Sequence, residues 1–296
     1  MSVSAGKTTA LTGIVCVVAA GICFAILDTI TKGVVQVVPI LMALWVRYLI
    51  QAVFTTLALA PRQGASLWRS RSLGLQLLRG ALLVVTTLLA YLSLRYIPVG
   101  EFTAIVMVTP LTVTVLSVVL LKERVVPLQW LLVVGGFVGT LVIVRPGGHD
   151  FGWAVLFPLA CMACNSAFQL LTGRLARVDN ASTTHFFSGW VGALLLTLAL
   201  PLIWTTVASP WLWLLMLTMG VLAATGHFLL AQAYQHAPAS TLMPYLYCQV
   251  GFAVLAGWVA FSHLPDGWTL SGIGLIVACG AGSAWFTARR KSLPVA

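Results

Sequence analysis

Apolar stretches about as long as a membrane-crossing helix alternate with short polar connections along this chain. A helix needs about 20 apolar residues to cross the hydrocarbon core of a bilayer. The pattern predicts ten such helices, called spans one to ten, at about 11–31, 40–60, 73–95, 99–121, 128–144, 151–174, 183–206, 210–235, 239–262 and 268–288. The connections are too short to form a separate domain. We therefore expect an all-α integral membrane protein that works within the bilayer.

The stretch 96–145 has a counterpart in the second half of the chain. An offset of 140 residues places Pro98 on Pro238, and the same offset also aligns glycines and leucines of spans three and eight. One offset that serves several helices indicates an internal duplication. We expect two five-helix units, at 1–147 and 148–296, around a central cavity.

Composition excludes a soluble fold and several classes of site. Hydrophobic residues make up 60% of the 296 residues and charged residues 7%, against about 25% charged residues in a soluble domain. The net charge of +10 is spread between apolar spans, so it does not predict nucleic-acid binding. The cysteines lie inside apolar runs, and the CxxC of Cys161 and Cys164 has no second ligand pair. We expect no disulfide, metal or cofactor.

The distribution of basic residues predicts the orientation in the membrane. Of the 16 Lys and Arg residues, twelve fall on one side, three (Lys32, Arg95 and Arg145) fall on the other, and Arg47 lies within span two. Basic residues favour the cytoplasmic side, so both termini are expected there, in a bacterial inner membrane. Because five is an odd number, the second unit enters from the opposite side, which gives the inverted repeat found in many secondary transporters.

Several residues carry a resemblance to a known family. They are Arg47, Pro98, the Thr109-Pro110 pair, Glu123 at the end of span four, and the GGFVG sequence of span five. With the ten-helix count and the duplication, the chain resembles the EamA branch of the drug/metabolite transporter superfamily. It departs from the pattern at His263 and at Cys279-Gly280. The resemblance implies a transporter of small metabolites, closest in general character to exporters of aromatic and other amino acids.

Three ionisable residues are predicted within or at the mouth of a span. Asp28, Arg47 and Glu101 all lie toward the outer side of the first half. Charges within a span are costly and usually face a cavity or a partner. Two hypotheses follow: a site that binds a substrate ammonium group or a coupling proton, or a structural ion pair.

A second group of candidates consists of polar and aromatic residues. Thr87 and Tyr91 share one face of span three, and His227 and Tyr234 occupy the corresponding face of span eight. Such side chains suit an amphipathic solute, although His227 would equally be satisfied by a neighbouring helix. The further candidate substrate-binding residues are Tyr245, Gln249 and Trp190.

Prolines and small residues predict bends and close helix contacts. Pro110 and Pro244 lie inside spans four and nine, where each removes a backbone hydrogen bond and kinks the helix. Small residues recur every fourth position in spans five and ten, at Gly135 and Gly139 and at Gly274, Ala278 and Gly282. Such ladders allow close packing within the chain or a homo-oligomer interface.

The sequence therefore predicts a membrane transporter and not an enzyme, so it assigns no catalytic residue. Its substrates would be small amphipathic metabolites, with export of aromatic or neutral amino acids such as threonine first. Uptake or exchange of a nucleotide-like metabolite on the same fold is the alternative. An intramembrane protease would need HExxH and a retinal receptor a buried lysine, and neither is found. No Walker A sequence is present, which leaves proton coupling and downhill exchange open.

Overall fold

The computed structural model describes residues 2–97, 99–120, 122, 126–144, 153–262, 266–268, 270–272, 274–276, 278–279 and 282. Eleven α-helices are bounded within these residues: α1 Ser2–Val34, α2 Ile40–Gln63, α3 Leu73–Tyr96, α4 Val99–Val106, α5 Thr109–Leu120, α6 Pro127–Val144, α7 Leu156–Leu175, α8 Ala181–Ile203, α9 Pro210–His236, α10 Ala239–Leu246 and α11 Cys248–Phe261. Short 3-10 turns precede α3 and α7. Seven helical segments of the described part are long and apolar enough to cross a membrane.

Predicted spans four and nine are each broken in two. The first break separates α4 from α5 at Met107 and Val108, and the second separates α10 from α11 at Tyr247. At the first break the Val108 N–H bonds to Ile105 O at 3.2 Å, three residues back instead of four. Proline lacks the N–H that continues the α-helical ladder. Pro110 and Pro244 lie within three residues of these breaks, so the predicted kinks are complete interruptions.

Span ten and some family residues fall partly or wholly outside the described part. Described residues between 267 and 282 are helical, but the end of span ten is not among them. Pro98, Glu123 and His263 also lie outside the described residues. Span six begins at Leu156, later than expected, and span seven covers Ala181–Ile203.

Helix positions and helix contacts both repeat at the offset of 140 residues. Displacing α2 by 140 places it on 180–203, where α8 lies at Ala181–Ile203, and displacing α4 places it on α10. The packing partners correspond in the same way: α1 packs on α9 as α7 packs on α3, and α4 packs on α11 as α10 packs on α5. The two breaks, at Met107 and Tyr247, are also 140 residues apart.

Close contacts between α2 and α8 depend on glycine. The Tyr48 ring lies against Gly192, where a Cβ would overlap the ring, and Gly189 faces the backbone of Ala52. Tyr48 is completely buried. Glycine is therefore needed at these positions for its lack of a side chain, because it lets the two helix backbones approach.

We expect Gly192→Ala to lower stability by about 1–3 kcal/mol, the usual cost of overpacking a filled interior. The matched control is Gly257→Ala, at a helical position where a Cβ would meet nothing within 4 Å. Alanine favours a helix by up to about 1 kcal/mol over glycine, so the control should be neutral or stabilising. Thermal unfolding in detergent measures both. Equal melting temperatures for the two variants would contradict the packing.

The small-residue ladders of spans five and ten meet within the chain. A Cβ at Gly139 would lie 2.9 Å from Gly272 O, and one at Gly135 would lie 2.7 Å from Cys279 Sγ. This face of α6 is thus used for intramolecular packing. A homo-oligomer through these helices stays a prediction.

The turn between α7 and α8 is fixed by hydrogen bonds to the segment that leads into α3. The Asp179 carboxylate accepts from the Ser70 hydroxyl, from the Arg71 backbone N–H at 2.9 Å and from Gln76 Nε2 at 2.8 Å. Burial raises the pKa of Asp179, but these hydrogen bonds and the Arg71 charge outweigh it and hold the pKa below its usual range. Asp179 therefore ties the first half of the chain to the second.

Asp179→Asn should lower the melting temperature at pH 7, because an amide replaces an acceptor-only carboxylate. A carboxyl whose pKa is lower when folded stabilises fully above its unfolded pKa, about 3.9, and that contribution is lost as pH falls through the folded pKa. The difference between wild type and variant should shrink below about pH 4. Ser70→Ala, which removes one donor, should show part of the effect. A difference independent of pH would show that the charge is not involved.

Candidate functional site

A cavity of about 110 Å³ lies at the junction of the two halves. Side chains from α1, α2, α3, α4, α7 and α9 line it, together with residues next to both helix breaks: Met107, Pro110, Leu246 and Gln249. Interrupted helices at the centre of a membrane protein expose backbone and bend around a cavity, and transporters commonly bind solutes there. The breaks and the cavity thus belong to one feature.

Arg47 is the charged centre of this cavity. Its side chain is 1% exposed, and its guanidinium lies 4.7 Å from the centroid of the Tyr48 ring. Nη1 donates to Thr87 Oγ1 at 3.4 Å, and Nη2 lies 3.1 Å from His227 Nε2. Nε is buried without an acceptor. Arg47 thus joins α2 to α3 and α9 and keeps unused hydrogen-bonding capacity.

Thr87 and His227 are related by the 140-residue offset, and both contact Arg47. Thr87 also bonds to the Tyr48 hydroxyl at 3.0 Å and donates to Leu83 O at 2.7 Å. A guanidinium only donates, so His227 Nε2 accepts and the ring proton resides on Nδ1. His227 Nδ1 is buried without a partner. One arginine from the first half therefore lies between equivalent positions of both halves.

Asp28 lines the same cavity from α1 and retains some accessible surface. It is close enough to Arg47 to interact electrostatically. Among the described residues, however, no ion pair joins Asp28 to Arg47. The direct structural ion pair that the sequence offered as one hypothesis is therefore not formed in this conformation. The cavity presents an acid and a base separately.

Aromatic rings form the wall between these two charges. Phe24 lies one helical turn before Asp28, and its ring centroid is 4.9 Å from that of His227. Phe168 lies 5.8 Å from the His227 ring, edge to face. Tyr91 and Phe102 complete the aromatic surface. Such a wall favours a flat ring system in the solute.

Amides supply neutral hydrogen bonding to the cavity. Asn165 Nδ2 donates to Thr109 Oγ1 at 3.4 Å, at the start of α5. Gln169, one turn later on α7, accepts from the Tyr234 hydroxyl at 2.9 Å. Gln249 lines the cavity from α11. The sequence analysis missed Asn165, Gln169 and the phenylalanines, although two amides four residues apart in an apolar span were a usable signal.

The structure brings together most of the predicted site residues. Tyr91, Thr87, His227 and Gln249 line the cavity with Asp28 and Arg47. Whether they bind substrate stays a prediction.

Three predicted substrate-binding residues lie elsewhere. Tyr234 stands behind Gln169 and faces a separate pocket at the end of α9. Tyr245 is buried but not in the cavity lining, and Trp190 donates to Thr56 at 2.9 Å. Glu101 belongs to α4, but its side chain lies outside the described residues. Helical periodicity places a residue on a face, but it does not give the depth at which that face meets a cavity.

A second buried arginine lies beside the cavity. Arg79 Nε donates to Thr172 at 2.7 Å, Nη1 donates to Thr184 O at 3.2 Å and to the Ser188 hydroxyl, and the guanidinium lies 4.3 Å from the Phe168 ring centroid. These neutral acceptors join α3 to α7 and α8. Arg79 therefore supports the aromatic wall from behind.

Known proteins were compared with the chain. The model of the EamA-like transporter family matches residues 11–145. A riboflavin transporter of Vibrio cholerae is 31% identical over 211 residues, which are 71% of this chain and 70% of that protein. The chain belongs to the EamA-like transporter family. It is accordingly a multi-pass membrane transporter, as the resemblance implied.

Other relatives of this EamA protein differ in their named solutes. An S-adenosylmethionine uptake transporter of Rickettsia conorii is 26% identical, over 68% of each chain. A pseudopaline exporter of Pseudomonas aeruginosa is 24% identical, over 90% of this chain and 94% of that one. A crystal structure superposes with a TM-score of 0.74 at 22% identity, covering 97% of this chain and 98% of the other, which shows a shared fold.

The cavity predicts which positions a small thiol reagent reaches in this EamA protein. In a background without native cysteines, cysteine at Ala90 or Asn165 should be labelled, because both residues line the cavity and are partly accessible. Cysteine at Ala223, which is completely buried away from the cavity, is the control and should not react. A transported solute should slow labelling at the first two positions. Equal labelling at all three would contradict the cavity.

Proposed function

We propose that this EamA protein is a secondary transporter that takes up flat, amphipathic heteroaromatic metabolites of the flavin or nucleoside class. The observation that carries the proposal is the composition of the cavity: Phe24, Phe102, Phe168 and Tyr91 surround a space edged by amides and hydroxyls. A flat heterocycle stacks on aromatic rings, and its ring nitrogens and carbonyls hydrogen-bond to amides. This is the alternative that the sequence analysis kept beside amino-acid export.

The named relatives support this class of solute. Riboflavin and S-adenosylmethionine, named for several of them, both join a planar nitrogen heterocycle to a hydroxylated, polar chain. The S-adenosylmethionine relatives are uptake transporters, which favours import. The shared chemistry of these solutes, more than any one name, matches the cavity.

The proposed architecture is ten transmembrane helices in a 5+5 inverted repeat, with both termini on the cytoplasmic side of the inner membrane. The matching helix bounds, packing pairs and breaks at the 140-residue offset support the duplication. The bias of basic residues supports the orientation. Alternating access would then consist of a rocking of the halves around the central cavity.

Export of amino acids is the second candidate function. The separate charges of Asp28 and Arg47 favour it, because an amino acid carries one charge for each. The relative named as a pseudopaline exporter shows that export occurs among similar proteins. Threonine, however, has no ring that would use the aromatic wall.

A competition assay tests the proposed class. In proteoliposomes containing the purified protein, labelled riboflavin or adenosine should enter saturably, and each should inhibit the other. Phe24→Ala should lower uptake at least tenfold, while Phe24→Tyr, which keeps the ring, should retain most of it. Saturable uptake of threonine without uptake of either heterocycle would favour the amino-acid function and reject the heteroaromatic one.

A further inference from the structure

Two opposite charges share this cavity without forming a pair. Asp28 and Arg47 both line it, yet no ion pair joins them among the described residues. Arg47 keeps one buried donor, Nε, and His227 keeps a second, Nδ1, and neither has a partner. An unpartnered charge in a low-dielectric interior is costly, as is an unpartnered buried donor. The empty cavity therefore lacks groups that a solute would supply.

The chemistry of those missing groups is determined by the residues that lack them. A cation alone would answer Asp28 but would leave the Arg47 guanidinium without an anion. A carboxylate alone would answer Arg47 and leave Asp28 without a cation. Only a solute with an ammonium and a carboxylate close together answers both at once.

The aromatic wall is adjacent to both charges. Phe24 lies one turn from Asp28 on α1, and its ring contacts His227, whose Nε2 lies 3.1 Å from Arg47. A ring stacked on Phe24 would therefore place its substituent within reach of both charged groups. Gly226 makes room for the Phe24 ring, since a Cβ there would lie 2.7 Å from Phe24 Cε1.

We propose that the cavity binds a zwitterionic α-amino-acid group attached to a flat heterocycle, with its ammonium on Asp28 and its carboxylate on Arg47 and His227. This inference rests on the proposed heteroaromatic function and narrows it to amino-acid-bearing members of the class. It also explains how the charges that favour an amino acid and the wall that favours a heterocycle occur in one site.

Two matched ligands isolate the amino-acid group. S-adenosylhomocysteine and 5′-methylthioadenosine share the adenine, the ribose and the thioether, and only the first carries the zwitterion. Inhibition of labelled adenosine uptake into proteoliposomes measures both. We expect S-adenosylhomocysteine to inhibit at a concentration at least tenfold lower.

Variants assign each charge to its residue. Arg47→Gln should remove the discrimination between S-adenosylhomocysteine and its methyl ester, which lacks the carboxylate. Asp28→Asn should remove the discrimination between S-adenosylhomocysteine and its N-acetyl derivative, which lacks the ammonium. Arg69→Gln, at an exposed arginine of the turn before α3, is the control and should preserve both. Arg47→Lys keeps the positive charge and should retain a weakened preference.

The outcomes separate this inference from the proposed function. Equal inhibition by S-adenosylhomocysteine and 5′-methylthioadenosine in the wild type would overturn the zwitterion site and leave heteroaromatic transport standing. If neither compound, nor riboflavin, competes and adenosine is not transported, the proposed function itself fails. Because the ligand comparison needs only the wild-type protein, a variant that does not fold leaves the test intact.

Discussion

A guanidinium enclosed in a membrane protein must find acceptors, and Arg47 finds them on two other helices. It contacts Thr87 on α3 and His227 on α9 and lies over the Tyr48 ring of its own helix. Because losing a partner would leave a buried charge exposed to a low dielectric, the positions of these helices are coupled. The close approach of α8 to Tyr48 at Gly192 then fixes α2 from the other side. The cavity is therefore organised around one charge that the surrounding helices must accommodate.

The near-symmetry of the chain makes this arrangement possible and the charge departs from it. The offset that relates Thr87 to His227 relates Asp28 to Phe168, so an acid in one half corresponds to an aromatic ring in the other. Both lie in the cavity. A symmetric scaffold thus supplies a centrally placed space, while unequal residues at equivalent positions give that space a charged side and an apolar side. Recognition of an amphipathic solute needs such a difference.

Much of the fold could be predicted from hydrophobic runs because a bilayer restricts helices to a narrow range of lengths. The offset found from Pro98 and Pro238 also anticipated which helix positions correspond. The site was less accessible. Tyr234 and Tyr245 lie on plausible helical faces, but the depth of α9 relative to α7 puts Gln169 in front of Tyr234. That depth depends on how three helices pack, which periodicity within one helix does not contain. The breaks at Met107 and Tyr247 were anticipated as kinks only, because proline shows where a hydrogen bond is lost and not how neighbouring helices use the space.

The two ends of the bundle are held by related contacts of unequal strength. Gln36, in the turn after α1, donates to Arg95 O at the end of α3, and the offset places these residues on Ala176 and Gln235. There the direction is reversed, and Gln235 donates to Ala176 O at 3.1 Å. Only this second end adds a carboxylate, Asp179, that collects three donors from the segment before α3. If the halves rock around Arg47, opening this end requires breaking charge-assisted hydrogen bonds, whereas the other end has been given no such carboxylate within the described residues. The resting preference of the transporter for one side would then arise from a few polar contacts at its surface, and the near-symmetric membrane interior would be free to serve both states.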